Sequence, residues 1–260
     1  GIPHHMVGVA DPGENYSVAR YAHDAAKCVD ELIARGKQPV IVGGTGLYLN
    51  ALLAGHGFAG GDKDGAHRAA LEARWEEEGG EAMFAALRRI DPETAEKLHA
   101  NDKKRILRAL EVYYETGKTM ARHNAETKRL PPRYDSVRIG LAYEDREDMK
   151  RAIDLRVDNM VEAGLFDEVR ALLASGLSRD VTAMQAIGYK EALAYLDGAA
   201  TREEAIAEIK LRSRQYAKRQ LTWLRRDKDI HWYHWEKTRD LADCLAFSTE
   251  ILREYGVSCS

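Results

Sequence analysis

Apolar residues recur every third or fourth position along most of the chain, the period of helices that pack through one face. Val18, Tyr21, Ala22, Ala25, Cys28, Val29 and Leu32 mark a first helix over 16–36, with Gly36 as its stop. The period then breaks. Four residues, "PVIV" (39–42), read as a short buried strand; Gly43-Gly44-Thr45-Gly46 turns the chain, and a second helical pattern runs to about Gly55. From 62 to about 133 the strand signal vanishes and short helices succeed one another. Asp91-Pro92 is a helix start with proline at the first helical position, and Asn101-Asp102 opens "KKRILRALEVYYETG", closed by Gly117. "SVRIGLAY" (136–143) is a strand again. A long helix over 145–164, three further helical patterns and a last strand, "IHWYHW" (230–235), complete the chain. Helices alternating with short strands predict an α/β fold with a parallel sheet. The expected division is a sheet-bearing core from 1–55 and 135–260, and an all-helical insertion at 56–134.

Composition narrows the classes. A chain of 260 residues, 45% hydrophobic and 31% charged, is long enough to bury a real core. Its net charge of −3 argues against wholesale cationic binding, so a polyanionic partner must be met by local basic patches. Cys28, Cys244 and Cys259, an odd number without close spacing, fit neither a disulfide framework nor a zinc site; a reducing cytoplasm is the expected location. No membrane span or secretory leader is read.

Two stretches carry candidate chemistry. A strand that hands over to a helix through glycines is where α/β proteins bind anions, because free N–H groups and the helix dipole converge there. Gly43 and Gly44 would form that cradle and Thr45 would add a hydroxyl. The same residues also suit a plain tight turn with Thr45 as the helix cap, and the turn alone leaves both readings open. "TGKT" (116–119) is not a phosphate loop: Val112 stands where its first glycine is needed, and Gly117 ends a helix. The second stretch is "KLRSRQYAKRQLTWLRR" (210–226), with Lys210, Arg212, Arg214, Lys218, Arg219, Arg225 and Arg226 and no acid. An acid-free run suggests that phosphates are met here, unless acids from elsewhere pair with it. "KKRILR" (103–108) is a second basic cluster. His4 and His5 are adjacent and cannot easily converge on one ion.

"IPHH", "DPGENYSVARY", "PVIVGGTGLYLNALL", "NDKKRILRALEVYYETGKT", "MQAIGYKE" and "RSRQYAKRQLTWLRRD" occur in the order and spacing of the tRNA dimethylallyltransferases, also called tRNA isopentenyltransferases, which the chain resembles over nearly its whole length. The resemblance implies transfer of a dimethylallyl group from its diphosphate to N6 of the adenosine 3′ to the tRNA anticodon, with Mg²⁺ and no protein metal ligand identified. It also implies a P-loop NTPase-like parallel core, a nucleotide-binding fold class, with the helical insertion contacting tRNA. Thr45 matches a threonine beside the reactive centre that also touches the adenosine, and Arg156 an arginine that holds diphosphate; alone, Arg156 reads as an ordinary arginine beside the apolar stripe of Ile153, Val157 and Met160. Gly43 and Gly44 are assigned to the donor. Arg68, the run Lys104, Arg105, Ile106, Leu107 and Arg108, and the run Gln185, Ala186, Ile187, Gly188, Tyr189 and Lys190 match tRNA-contacting positions; Arg214, Lys218 and Arg219 join them through the basic helix. Glycine inside a helical pattern independently suggests a close backbone approach at Gly188.

Members of this family are expected to begin with a strand and a phosphate loop ending Gly-Lys-Ser/Thr, followed by an aspartate acting as general base. None of the 260 residues matches that segment, so the chain is expected to lack it and to be inactive alone. A monomer acting on the anticodon stem-loop, without a membrane, is the expected state. Two other readings remain: an adenylate isopentenyltransferase acting on a free nucleotide, and an RNA-binding remnant without catalysis.

Overall fold

The computed structural model describes residues 1–55 and 66–257. It divides into two compact units, Gly1–Leu49 with Asp135–Ser260, and Asn50–Tyr134. Residues 56–65, the expected start of the insertion, and Cys259 lie outside the described residues.

In the first unit the helical period over 18–32 becomes α1 (Val18–Ala34), whose start is capped by the Ser17 hydroxyl accepting from the Arg20 N–H. The segment after it differs from expectation. Residues 37–45 form no strand, and Val40 and Val42 are 81% and 91% exposed. Four apolar residues in a row satisfy the pattern of a buried strand, but a strand also needs a neighbour to complete its ladder, and none pairs here among the described residues. The sheet is a single parallel pair, β1 (Arg138–Tyr143) and β2 (Ile230–Trp235), with Arg138 opposite Ile230 and Tyr143 opposite Trp235. Gly140 is required by this pairing: a Cβ there would stand 2.7 Å from both Ile230 Cγ2 and the Trp232 ring.

Between the strands four helices share one core. The first is α7 (Arg146–Glu162), capped by the Asp145 carboxylate, which accepts from the N–H groups of Glu147 and Asp148. Gly164, at φ +98°, turns the chain into α8 (Leu165–Ala174). Next come a 3-10 turn (Thr182–Gln185), α9 (Tyr189–Leu196) and α10 (Arg202–Leu224), the last opened by a Thr201/Glu204 capping box. Val157, Val161, Leu165, Phe166, Val169, Met184, Ala192, Ala205 and Ile209 form the shared core. Complete burial of a side chain such as Val169 or Ile209 contributes about 1.5–3 kcal/mol before entropy is subtracted. After β2, α11 (Leu241–Glu254) packs against that strand, Tyr233 meeting Phe247.

The second unit begins inside α2 (Gly46–Leu53) and contains α3 (Ala66–Ile90), α4 (Pro92–Ala95), α5 (Lys103–Thr116) and α6 (Met120–Lys128), with no strand among its described residues. α3 bends at Gly79, where φ is 82°. Asp91 is buried and its two carboxylate oxygens accept from the N–H groups of Thr94 and Ala121, so one side chain ties the starts of α4 and α6 together. Gly117, at φ +68°, closes α5, so "TGKT" is a helix end as the sequence indicated. Leu71, Met83, Leu87, Ile106, Leu107 and Leu110 fill the core of this unit. Among the described residues no helix is long and apolar enough to cross a membrane.

Candidate active site and RNA-facing surface

The glycine-rich turn opens α2. The Thr45 carbonyl accepts from the N–H groups of Tyr48 (2.9 Å) and Leu49 (3.1 Å), so Thr45 holds the cap position through its backbone. Its hydroxyl does something else. Thr45 Oγ1 lies 3.4 Å from the Tyr216 phenol oxygen on α10. The hydroxyl makes no capping bond to the N–H groups that open α2 among the described residues, and Thr45 is exposed.

The glycines answer to the same helix. A Cβ on Gly44 would meet Gln220 Nε2 at 2.3 Å, and one on Gly46 would meet Trp223 Cε3 at 2.0 Å, whereas Gly43 has nothing within 4 Å. Tyr216, Gln220 and Trp223, at spacings of four and three, share one side of α10. The turn is therefore seated along the C-terminal half of the basic helix. On its other flank Tyr48 stacks on Tyr21 with centroids 4.6 Å apart, and its phenol donates to the Tyr16 carbonyl at 3.4 Å. Burial first, and then the hydrogen bond and charge of Asp24, push the Tyr16 phenol up to about 12. In the sequence, Tyr216, Gln220 and Trp223 are uncharged positions at spacings of four and three on a helix crowded with cations; that spacing was the available signal for a docking face.

Acids do reach part of the basic helix. Lys210 pairs with Asp158 (2.6 Å) and Arg214 with both oxygens of Asp154 (2.7 and 3.0 Å), both acids coming from α7, while Arg212 pairs with Glu208 (2.6 Å). Arg214, expected to contact tRNA, is thus already held by a bidentate partner that sequence distance concealed. The C-terminal half is different. Lys218, Arg219, Arg225 and Arg226 are exposed and meet no acid among the described residues; the Arg219 guanidinium lies 5.8 Å from the centre of the Tyr216 ring.

In the second unit, Arg68 and Arg108 converge on one carboxylate. Glu111 is 8% exposed and lies 2.8 Å from Arg108 and 3.9 Å from Arg68, which also binds Glu72 at 2.8 Å. Lys103 pairs with Glu76 at 2.6 Å. Lys104 and Arg105 have no ion pair among the described residues, and both are exposed. Ile106 and Leu107 are 0% exposed. Their assignment as tRNA contacts is corrected: they are the core-facing positions of an amphipathic helix, and a run of consecutive residues cannot all face outward.

In the 185–190 segment Gln185, Ala186 and Lys190 are exposed, Ile187 and Tyr189 half-buried, and Gly188 buried. Gly188 stands at φ +104°, with its N–H donating to the largely buried Glu191 carboxylate at 2.7 Å and the Leu165 side chain 3.5 Å from where a Cβ would be. The backbone conformation and Leu165 account for this glycine. Tyr189 donates to Glu168; burial first, and then that bond, push its phenol up to about 12. Arg156 is exposed on α7 without a partner among the described residues. It stands two residues from both Asp154 and Asp158, so it leaves α7 on a different side from the one that grips α10, and no contact joins it to Thr45. His4 bonds the Ile2 carbonyl at 2.9 Å.

Among the described residues no group of three His, Cys, Asp or Glu side chains could hold a metal ion, and the donors at the turn are hydroxyls and a carboxamide. A resident Mg²⁺, which takes carboxylates and phosphates, does not fit that donor set. A cavity of about 350 Å³ lined by Ser136, Arg138, Lys228, His231 and Tyr255 lies at the N-terminal ends of β1 and β2, opposite to where parallel sheets bind ligands.

A family model described as IPP transferase matches residues 1–227. The chain belongs to the IPP transferase family. Within it, the tRNA dimethylallyltransferase of Halothermothrix orenii is 43% identical over 233 residues, 90% of this chain and 71% of that relative. That of Carboxydothermus hydrogenoformans is 43% identical over 259 residues, 99% of this chain and 81% of the relative. Among solved structures, the tRNA isopentenylpyrophosphate transferase of Bacillus halodurans matches with a TM-score of 0.65 at 39% identity, covering 98% of this chain and 80% of that one. A eukaryotic dimethylallyltransferase acting on tRNA matches with a TM-score of 0.78 at 29% identity, covering 98% and 66%.

Proposed function

We propose that this IPP transferase moves a dimethylallyl group from dimethylallyl diphosphate to N6 of the adenosine 3′ to the anticodon of tRNA. The Gly43–Thr45 turn and the C-terminal half of α10 form the reacting side, within a P-loop-like core. The observation that carries the reading is the Thr45 hydroxyl, on an exposed residue beside Tyr216 and making no capping bond among the described residues.

The chemistry asks for three things. The exocyclic amine of adenine is a weak nucleophile and must be presented outside the base stack, at a cost of a few kcal/mol repaid by pocket contacts. Thr45 supplies a hydrogen-bonding group to that base. As the new N6–carbon bond forms and the carbon–oxygen bond to diphosphate breaks, negative charge grows on the departing oxygens, and the proton that N6 gives up passes to water or to the departing diphosphate. The free N–H groups that open α2, with Lys218 and Arg219, are available to such an anion, and stabilisation of developing charge is commonly the largest catalytic contribution; Arg156 serves the diphosphate only if the donor reaches the other side of α7. Mg²⁺ would arrive on the diphosphate as part of the donor and not as a resident ion. Lys104 and Arg105 of the helical unit, with the exposed Gln185 and Lys190, serve the tRNA backbone.

The test is incorporation of labelled dimethylallyl group into tRNA, with digestion to nucleosides to locate it. In a full-length version of the enzyme that carries the family's N-terminal phosphate loop, Thr45→Ala is expected to lower turnover about 10²-fold or more, as loss of a transition-state donor does. Near-normal turnover overturns the reading of the turn, and label in free adenine nucleotide instead of tRNA overturns the acceptor.

A further inference from the structure

We propose that Tyr216 is a positioning residue that fixes the rotamer of Thr45 and aims its hydroxyl at the acceptor base. The inference rests on the reading of Thr45 as a substrate-contacting residue and extends it to a side chain 171 positions away in sequence.

Three observations converge. The two hydroxyl oxygens are 3.4 Å apart, and Thr45 Oγ1 has no other hydrogen bond among the described residues. The approach is built in by packing, since Gly44 lies under the Gln220 carboxamide and Gly46 under the Trp223 indole with no room for a side chain at either. Those contacts set the register of the turn against α10 one helical turn and two turns beyond Tyr216, so the hydroxyl pair is the open end of a longer seam. The ring itself is held, with Arg219 over it at 5.8 Å, and Tyr216 is 39% exposed.

The chemistry gives the pair a direction. A phenol is a stronger hydrogen-bond donor than an aliphatic alcohol, so Tyr216 donates and Thr45 accepts. A threonine hydroxyl otherwise rotates to suit its surroundings. With one lone pair occupied, the remaining lone pair and the proton of Thr45 point away from α10, toward the side on which a base can enter. A threonine on a loop, exposed and without this partner, would sample more than one staggered χ1 well.

The test uses the whole chain, selectively methyl-labelled at threonine. Three-bond couplings to the Thr45 methyl group report χ1 directly and need no turnover. The wild type is expected to show the couplings of one rotamer and Tyr216→Phe averaged ones; equal couplings in the two proteins, whether locked or averaged, overturn the proposal. Phenylalanine keeps the ring beneath Arg219, so folding is not at stake. A double-mutant cycle in tRNA dimethylallylation, run in a full-length version of the enzyme that carries the family's phosphate loop, then reads the consequence. Tyr216→Phe should lower kcat about 3- to 10-fold, the worth of one hydrogen bond, with KM for tRNA unchanged. In a Thr45→Ala background the same change should have no further effect. A full effect in both backgrounds, or none in either, overturns the positioning role. If Thr45→Ala leaves turnover intact, the functional reading of Thr45 has failed, and the couplings still decide whether Tyr216 holds it.

Discussion

Gly46→Ala is the most direct challenge to the docking of the turn on α10. The added methyl carbon would lie 2.0, 2.2 and 2.4 Å from Trp223 Cε3, Cζ3 and Cδ2. Carbon atoms rest about 3.5–4.0 Å apart, so the indole or the start of α2 must withdraw by about 1.5 Å. Forcing a methyl group into a packed contact costs about 1–3 kcal/mol. Alanine returns at most about 1 kcal/mol of helix propensity, less at the first helical position. The indole is half-buried and can swing partly aside, so the net loss should be about 1–2 kcal/mol, or about 2–8 °C in melting midpoint for a protein of this size. Two neighbours provide the scale. Gly43 has nothing within 4 Å of a Cβ, so Gly43→Ala should stay within about 0.5 kcal/mol, and Gly44→Ala, which meets only the flexible end of Gln220, should fall between. Trp223→Leu should relieve Gly46→Ala, making the double variant more stable than the sum of the singles. Thermal and urea unfolding monitored by tryptophan fluorescence measure all of these. A Gly46→Ala protein no less stable than Gly43→Ala would refute the seam, and with it the geometry that presents Thr45.

Neutralising Lys104 and Arg105 together should flatten the salt dependence of tRNA binding, each lost phosphate contact lowering the slope of log K against log salt by about 0.7–0.9; an unchanged slope would remove them from the RNA surface. Asp154→Ala leaves Arg214 without its bidentate partner; with both side chains about a third exposed, the loss should be about 1 kcal/mol at low salt and shrink in 1 M salt, read from urea midpoints. The Tyr16 phenol, raised by burial and then by Asp24, stays neutral in the folded chain after the unfolded chain has begun to ionise. Its contribution to stability is therefore whole below about pH 10 and is lost as pH rises through about 12, so wild type should lose stability more steeply between about pH 10 and 12 than Tyr16→Phe; equal slopes would contradict this.

The helices of this chain were legible because their information is local. Asp91-Pro92, Gly117 and Asp145 mark starts and stops through bonds that span four residues or fewer, and the structure forms them where the pattern indicated. β1 and β2 were legible too, as short apolar runs bounded by polar residues. What escaped depends on partners distant in sequence. The run 39–42 carries the composition of a strand without a ladder. The acids of Lys210 and Arg214 sit more than fifty positions away on α7, so the local run at 210–226 could not show that three of its seven cations are already engaged. At 104–108 the run does not all lie at the surface: Lys104 and Arg105 are exposed and Arg108 pairs with Glu111, while Ile106 and Leu107 fall on the buried side of the same helical turn.

The pairing of β1 with β2 also sets an order of events in synthesis. Arg138 and its partner Ile230 are separated by about 90 residues, and closing a flexible loop of that length costs about 4 kcal/mol. α7 to α10, which fill the interval, share a core made of contacts far closer in sequence, and that core shortens the loop before the strands meet. On a ribosome adding about 5–20 residues per second, β1 leaves the tunnel about 5–20 s before its partner exists. For that time its whole hydrogen-bonding edge is open, in a strand that carries Ile139, Leu141 and Tyr143 on one face. Residues 138–143 are therefore the stretch of the nascent first unit that depends most on prompt synthesis of the residues up to Trp235.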